Sequence, residues 1–317
     1  MVLAAALSTL LGTTAAVWAQ SPVAVPVKLV VGYAAGGPVD AAARAFAPVL
    51  SRELGQPVVV DNRPGAGGAL AGQQVVKALP NGLELFFAAS PTMTISPHVL
   101  KAMTFDPLKD LMPIAPILTY ANVLVVSQGQ SFKTVPDLVA HAKANPGRLS
   151  FGSAGMGASN HLSGELFAQR AGIALTHVPY RGNAPAMTDV MGGQLAMMFD
   201  IVGGAKGHID SGRVKALAVT SKERNPALPD TPSLAELGFK DFDVGGWYGL
   251  YAPLGLSKEV AQRLSAAVSK AQNDPDLASR WKEQGYVMWT GTGSELEARM
   301  RQEHAMWGEV TKTVKFD

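Results

Sequence analysis

Two stretches of small residues are the parts of this chain best able to do chemistry. Gly32-Tyr33-Ala34-Ala35-Gly36-Gly37-Pro38-Val39-Asp40 and Ser153-Ala154-Gly155-Met156-Gly157-Ala158-Ser159-Asn160-His161 each follow an apolar run and lead into residues at helical spacing. A helix start leaves backbone N–H groups unpaired and carries about half a positive charge. Beside Gly and Ala that backbone is open to close approach by an anion. Two such starts facing one cleft would hold a carboxylate with no Lys or Arg beside it. Either loop alone also reads as an ordinary tight turn between strand and helix, so the functional reading rests on the pair.

Other chemistries fit less well. A dinucleotide fingerprint needs Gly-x-Gly-x-x-Gly, and neither loop has that spacing. Phe151-Gly152-Ser153-Ala154-Gly155 and Gly157-Ala158-Ser159-Asn160-His161 each miss one glycine of a hydrolase elbow. A serine hydrolase working from the Ser153 or Ser159 loop is therefore the alternative to a binding function. The histidines at 98, 141, 161, 177, 208 and 304 show no i, i+4 pair, so no metal site is expected. Asp40 falls in the first turn of its helix, where the dipole favours a carboxylate; it either steadies the loop or accepts a ligand ammonium. Asp200 ends the apolar run Leu195 to Phe199, where α/β ligand sites form, and suits an amine or hydroxyl. Tyr33 and Tyr180 line a cleft or belong to the core; Trp247 reads as core.

The elements that must position these groups alternate. Val27 to Tyr33, Pro57 to Asp61 and Leu83 to Ala89 read as strands, with helices after the first two. Leu149 to Ser153, a helix from Ser159 to Ala171 and a strand from Leu175 to Tyr180 repeat the pattern. This alternation predicts an α/β fold with mostly parallel sheets. Tyr120 to Ser127 and Phe242 to Tyr251 bracket the middle unit and read as two crossings between lobes. The helical stretch Ser257 to Lys315 then packs back on the first lobe. The expected division is 20–122 with 250–317 as lobe I and 123–249 as lobe II.

Composition narrows the class further. The chain has 317 residues, 47% hydrophobic and 16% charged, enough for two domains with a sizeable core. A net charge of +2 without clustered basic residues argues against nucleic acid. With no cysteine, disulfides and thiolate sites are excluded. Met1 to Trp18 carry no charge and lead into Val17-Trp18-Ala19-Gln20, which suggests a signal peptide over 1–19 with a shortened basic region. No later stretch approaches the roughly 20 apolar residues that span a bilayer.

Five motifs carry a resemblance. They are the Gly32–Asp40 loop with Ala43-Arg44; Val60-Asp61-Asn62-Arg63-Pro64-Gly65-Ala66-Gly67-Gly68; Gly155-x-Gly157-x-Ser159-x-x-Leu162; Val178-Pro179-Tyr180-Arg181-Gly182; and Trp247-Tyr248-Gly249-Leu250-Tyr251-Ala252-Pro253. Together they resemble the Bug-type (TctC-like) extracytoplasmic solute receptors of tripartite tricarboxylate transporters, although Gly32 stands where many members carry Pro. The resemblance implies a two-lobed, type II periplasmic binding protein (a Venus flytrap) with two interlobe crossing strands. It implies a periplasmic, monomeric receptor without catalysis or cofactor, delivering a small carboxylate to membrane permease subunits. Mapped onto this chain, the first carboxylate falls to Tyr33, Ala34, Ala35, Gly36 and Gly37, with Ser90 and Thr92. Across the cleft it falls to Ser153, Ala154, Gly155, Gly157, Ser159 and His161. Tyr180 and Asp200 are the candidates for the far end of the ligand.

Overall fold

The computed structural model describes residues 25–101, 103–240 and 242–311, so the leader expected over 1–19 lies outside the described residues. In the first third, strands β1 (Val27–Val31), β2 (Val58–Asn62) and β3 (Glu84–Ala89) alternate with helices α1 (Pro38–Leu54) and α2 (Ala69–Val76). Short helices α3 (Ser90–Thr94) and α4 (Ser96–Val99) follow, and then the 17-residue strand β4 (Leu111–Ser127). The middle unit contains α5 (Val135–Ala144), β5 (Ser150–Ser153), α6 (Ser159–Ala171), β6 (Thr176–Pro179), α7 (Asn183–Met191), β7 (Met197–Ile201), α8 (Val202–Asp210) and β8 (Val214–Val219). The chain returns through β9 (Gly245–Pro253) and closes with α9 (Lys258–Gln272), α10 (Pro275–Glu283), β10 (Val287–Met288) and α11 (Gly293–Val310).

Two sheets share β4. In the first, β2, β1 and β3 are parallel, β9 runs antiparallel between β3 and the first part of β4, and β10 pairs with β4 at Leu118 and Thr119. In the second, the last part of β4 pairs antiparallel with β7 and β8, while β7, β5 and β6 are parallel. Residue alternation places each sheet between two apolar layers. Leu29, Val31 and Phe87 face the layer under α1, α9 and α10, whereas Val30, Phe86 and Trp247 face the layer under α2 and α11. Leu124, Val126 and Phe199 likewise point one way in the second sheet, and Val123, Val125 and Met198 the other. Sheets covered on both faces favour strands apolar along their length, as β4 and β9 largely are, while the edge strands β2 and β6 are more polar and less buried. Trp247 is fully buried in the core.

Two differences from the sequence reading have clear causes. β4 begins at Leu111 rather than near Tyr120, because its first half contains Pro113 and Pro116, which argue against a strand. The register against β9 slips beside both prolines, which is how the sheet accommodates them. The segment after β3 turns directly into α3 at Ser90, since Pro91 suits a first helical turn.

The helices are locally specified. α1 starts with Pro38, buries Val39, Ala42, Ala43, Phe46 and Leu50 on one face, and ends at the left-handed Gly55. α6 ends in the same way at Gly172. Proline thus sets the start of α1, and a left-handed glycine sets the stop of both helices.

Candidate functional site

The site is built where strands hand over to helices. β1 leads to α1, β3 to α3, β5 to α6, β6 to α7 and β7 to α8, so each helix starts at the carboxyl end of a strand. The residues that open these helices are Gly37, Ala89, Ala158, Gly182 and Ile201; among the described residues, no side chain caps any of them. The contrast is with α5, α9, α10 and α11, which are capped by Thr134, Ser257, Asp274 and Thr292. A side-chain cap would consume the N–H groups that an anion needs.

Between the lobes lies a small cavity, about 10 Å³ for the centre of a water molecule. Tyr33, Val39, Ala89, Pro91 and Tyr120 line it from one side, and Ala154, Ala158, Ser159, Asn160, Asn183 and Ile201 from the other. Among the described residues, no charged side chain is in this wall. The lobes touch around it: the Ala34 N–H donates to the Arg181 carbonyl at 3.2 Å. Gly182 makes that approach possible, because its φ is 140° and a Cβ there would lie 3.0 Å from the Ala34 nitrogen. Adjoining the cavity is a larger, open groove of about 540 Å³ with side chains of both signs, such as Lys222, Asp243 and Arg299. Ser90, Tyr120 and Ser159 border the groove, and the last two also wall the cavity.

The residues singled out from sequence occupy distinct places. Tyr33 reaches the cavity, donates to the Gly67 carbonyl at 3.1 Å and lies 3.2 Å from Thr92 Oγ1. Burial pushes its hydroxyl up to about 12, so it stays protonated. Thr92 donates to the same carbonyl at 2.7 Å, and Ser90 accepts from the Trp247 N–H at 3.1 Å. Ala34 is half-buried, Ala35 and Gly36 are exposed, and Gly37 is buried at the start of α1. Asp40 accepts from the Gly36 N–H, Arg44 Nε and Asn62 Nδ2, each at 2.9 Å. Despite burial, these three donors hold its carboxyl below the usual range, and the carboxylate acts as a staple for the first loop.

In the second loop, Ala154 and Ser159 line the cavity. Gly155 donates its N–H to Ser153 Oγ at 3.1 Å, and Gly157 donates to His161 Nδ1 at 3.1 Å. An N–H can only donate, so Nδ1 of His161 carries no proton. His161 stacks on His177 with ring centroids 4.0 Å apart. Burial lowers His161 to about 3 and His177 to about 4, so both are neutral at physiological pH. Ser153 Oγ lies 2.6 Å from His177 Nε2, a pairing that has the residue types of a nucleophile and its base. Ser153 is, however, fully buried and also bonded to both backbone groups of Gly155. Its hydroxyl secures the loop.

Tyr180 donates to Asp189 and lines a neighbouring pocket with Gly67, Ala154 and Gly155, not the small cavity itself. Asp200 is buried behind Asn183, where it accepts from Asn183 Nδ2 and from the Ile201 N–H, the latter at 2.8 Å. Burial raises its carboxyl to about 6. The polar wall residues Tyr120, Asn160 and Asn183 were missed from sequence, as were the apolar Val39, Ala89, Pro91 and Ile201. Asn160 stands between two residues that were named, and its signal was its position. Asn183 follows Arg181-Gly182 and reads as an ordinary turn. Among the described residues there is no group of three or more His, Cys, Asp or Glu able to hold a metal, and no helix long and apolar enough to cross a membrane.

Comparison with known proteins adds to this geometry. A model of the tripartite tricarboxylate transporter family receptor matches residues 42–316. A UPF0065 protein from the tcbD-tcbE intergenic region of a Pseudomonas species is 38% identical over 283 residues, covering 89% of this chain and 84% of the relative. The structure of the periplasmic binding protein BugD is 34% identical with a TM-score of 0.88, covering 91% of this chain and 97% of that one. MatC of Rhodopseudomonas palustris, solved with bound malate, is 30% identical with a TM-score of 0.86, covering 90% and 99%. The two-lobed fold is thus that of periplasmic binding proteins.

Proposed function

The chain belongs to the tripartite tricarboxylate transporter receptor family, and on that premise we propose that it captures a small carboxylate between its lobes in the periplasm for delivery to membrane permease subunits. The observation that carries this reading is the convergence of cap-free helix starts on one cavity whose wall has no charged side chain. Partial positive charge without a mobile cation suits a carboxylate. The malate in the MatC structure is in keeping with that class.

In this reading the first carboxylate meets the starts of α1 and α6, with Tyr33, Ala154 and Ser159 in contact. Asp40, Ser90, Thr92, Ser153, Gly155, Gly157 and His161 hold the two loops in shape. Asp200 acts at one remove, through Asn183, whereas Tyr180 is tied to Asp189 and stands outside the cavity wall. Lobe I comprises 20–122 with 250–317, and lobe II 123–249. Pairing of β9 with the first part of β4 from Gly245 onward supports a second boundary within β9, near the expected 249/250.

A thermal-shift screen of mono- and dicarboxylates tests the function. A ligand at a hundred times its Kd stabilises by about 2.7 kcal/mol, so a true ligand moves the melting temperature by several degrees. If no carboxylate moves it, the receptor reading fails.

A further inference from the structure

Asn160 and Asn183 are amides in the cavity wall whose orientations are dictated from outside it. Asn160 Oδ1 accepts two backbone N–H groups, from Ala154 at 3.1 Å and His161 at 3.0 Å. Those groups can only donate, so the oxygen is committed and Nδ2 is what Asn160 has left for the cavity. Asn183 is the reverse. Its Nδ2 donates to Asp200, whose same oxygen also takes the Ile201 N–H. An ionised carboxylate can only accept, so Asn183 has its carbonyl oxygen to present. Both asparagines are almost fully buried, at 1% and 4% exposure, so whichever group each presents must find a partner in the cavity.

Building on the carboxylate reading, we propose that Asn183 determines specificity, with its carbonyl oxygen selecting a carboxylate that also carries a hydrogen-bond donor, a hydroxyl or an ammonium, on its carbon chain. Asn160, beside the α6 start, presents an N–H to the anionic end. A ligand with only methylene at the position facing Asn183 leaves that buried oxygen unpaired. A ligand with a ketone there sets two acceptors against each other. Sites built to bond a ligand donor discriminate strongly against analogues that lack it.

Two compound series separate this from the carboxylate reading itself: succinate, L-malate, L-aspartate and oxaloacetate, and butyrate, 3-hydroxybutyrate and acetoacetate. Titration calorimetry on the purified chain should show hydroxyl- or ammonium-bearing members binding at least about tenfold more tightly than the methylene or ketone members of their series. Asn183→Leu should weaken the donor-bearing members alone and erase the gap. Asp200→Asn, which keeps the shape but releases the constraint on the Asn183 amide, should narrow the gap while the unliganded melting temperature stays close to that of the parent. Equal affinities within a series that binds, or a preference that survives Asn183→Leu, would overturn the proposal and leave the carboxylate reading standing. No binding by either series counts against that reading, and the proposal falls with it.

Discussion

At the scale of single residues, the site depends on ionisable groups kept in an unusual state. His161 and His177 are neutral because burial penalises their charged forms, and each is further constrained by an acceptor role or a close ring neighbour. Their folded values near 3 and 4 lie below the ordinary 6.5. The stability they contribute is present above about pH 6.5 and drains away as the pH falls toward those folded values. Asp200 has the opposite sign: its value is raised to about 6 from 3.8, so it favours the fold in acid and loses that advantage as the pH rises through 6. The two histidines outnumber it, so the fold should lose stability between pH 7 and 5. His177→Gln, which removes one of the titrating groups, should make the drop in melting temperature over that range smaller; an unchanged drop would show that the pair does not govern acid stability. The fate of Asp40 was half legible in the sequence, since a carboxylate in a first turn steadies a loop or meets a ligand. Only the three donors around it decide for the loop. Asn183 was not legible, because its orientation depends on Asp200, which lies 17 residues away on another element.

The elements were read well where glycine and proline punctuate apolar runs, as in both small-residue loops and the helices that follow them. They were read poorly where local rules and tertiary context disagree. Pro113 and Pro116 hid the first half of β4, which is a strand because β9 pairs along it and tolerates two slips in register. The junction between the sheets was invisible for the same reason. There Thr220 Oγ1 accepts the Asn122 N–H at 2.9 Å and donates to the Val244 carbonyl at 2.5 Å, while its own N–H and carbonyl bond to Asn122 and Val244. One buried threonine thereby fastens both crossing segments together. Thr220→Val keeps the shape and removes the hydroxyl, stranding a buried donor and acceptor. The expected cost is about 1–3 kcal/mol in urea unfolding. A change below about 0.5 kcal/mol would mean that water replaces the hydroxyl without loss.

For the molecule as a whole, the proposed capture of a ligand between the lobes depends on their close approach, and α8 shows how the sequence permits the approach present here. Gly203, in the first turn of α8, lies against Tyr286 of the other lobe, and a Cβ there would sit 2.3 Å from the tyrosine ring. Tyr286 is itself buried and has little freedom to move. Gly203→Ala should therefore hold the lobes apart at a cost to the closed form of about 1–3 kcal/mol, roughly 5- to 150-fold in Kd for the carboxylate that the thermal-shift screen identifies. Unchanged affinity with an unchanged melting temperature would show that this contact does not limit closure.

The shared strand β4 also bears on how such a receptor can be altered over generations. In the second sheet β4 is an interior strand, flanked by β7 and β8, although it enters from the first lobe. A gene segment cut at the two crossings would divide one continuous strand, separating its first part, paired with β9, from its last part, paired with β7 and β8. An exchanged lobe must therefore rejoin that strand and restore its pairing on both sides of the junction. New ligands are then reached more directly by single replacements in the cavity wall, such as position 183, the first residue of α7 and tied to Asp200.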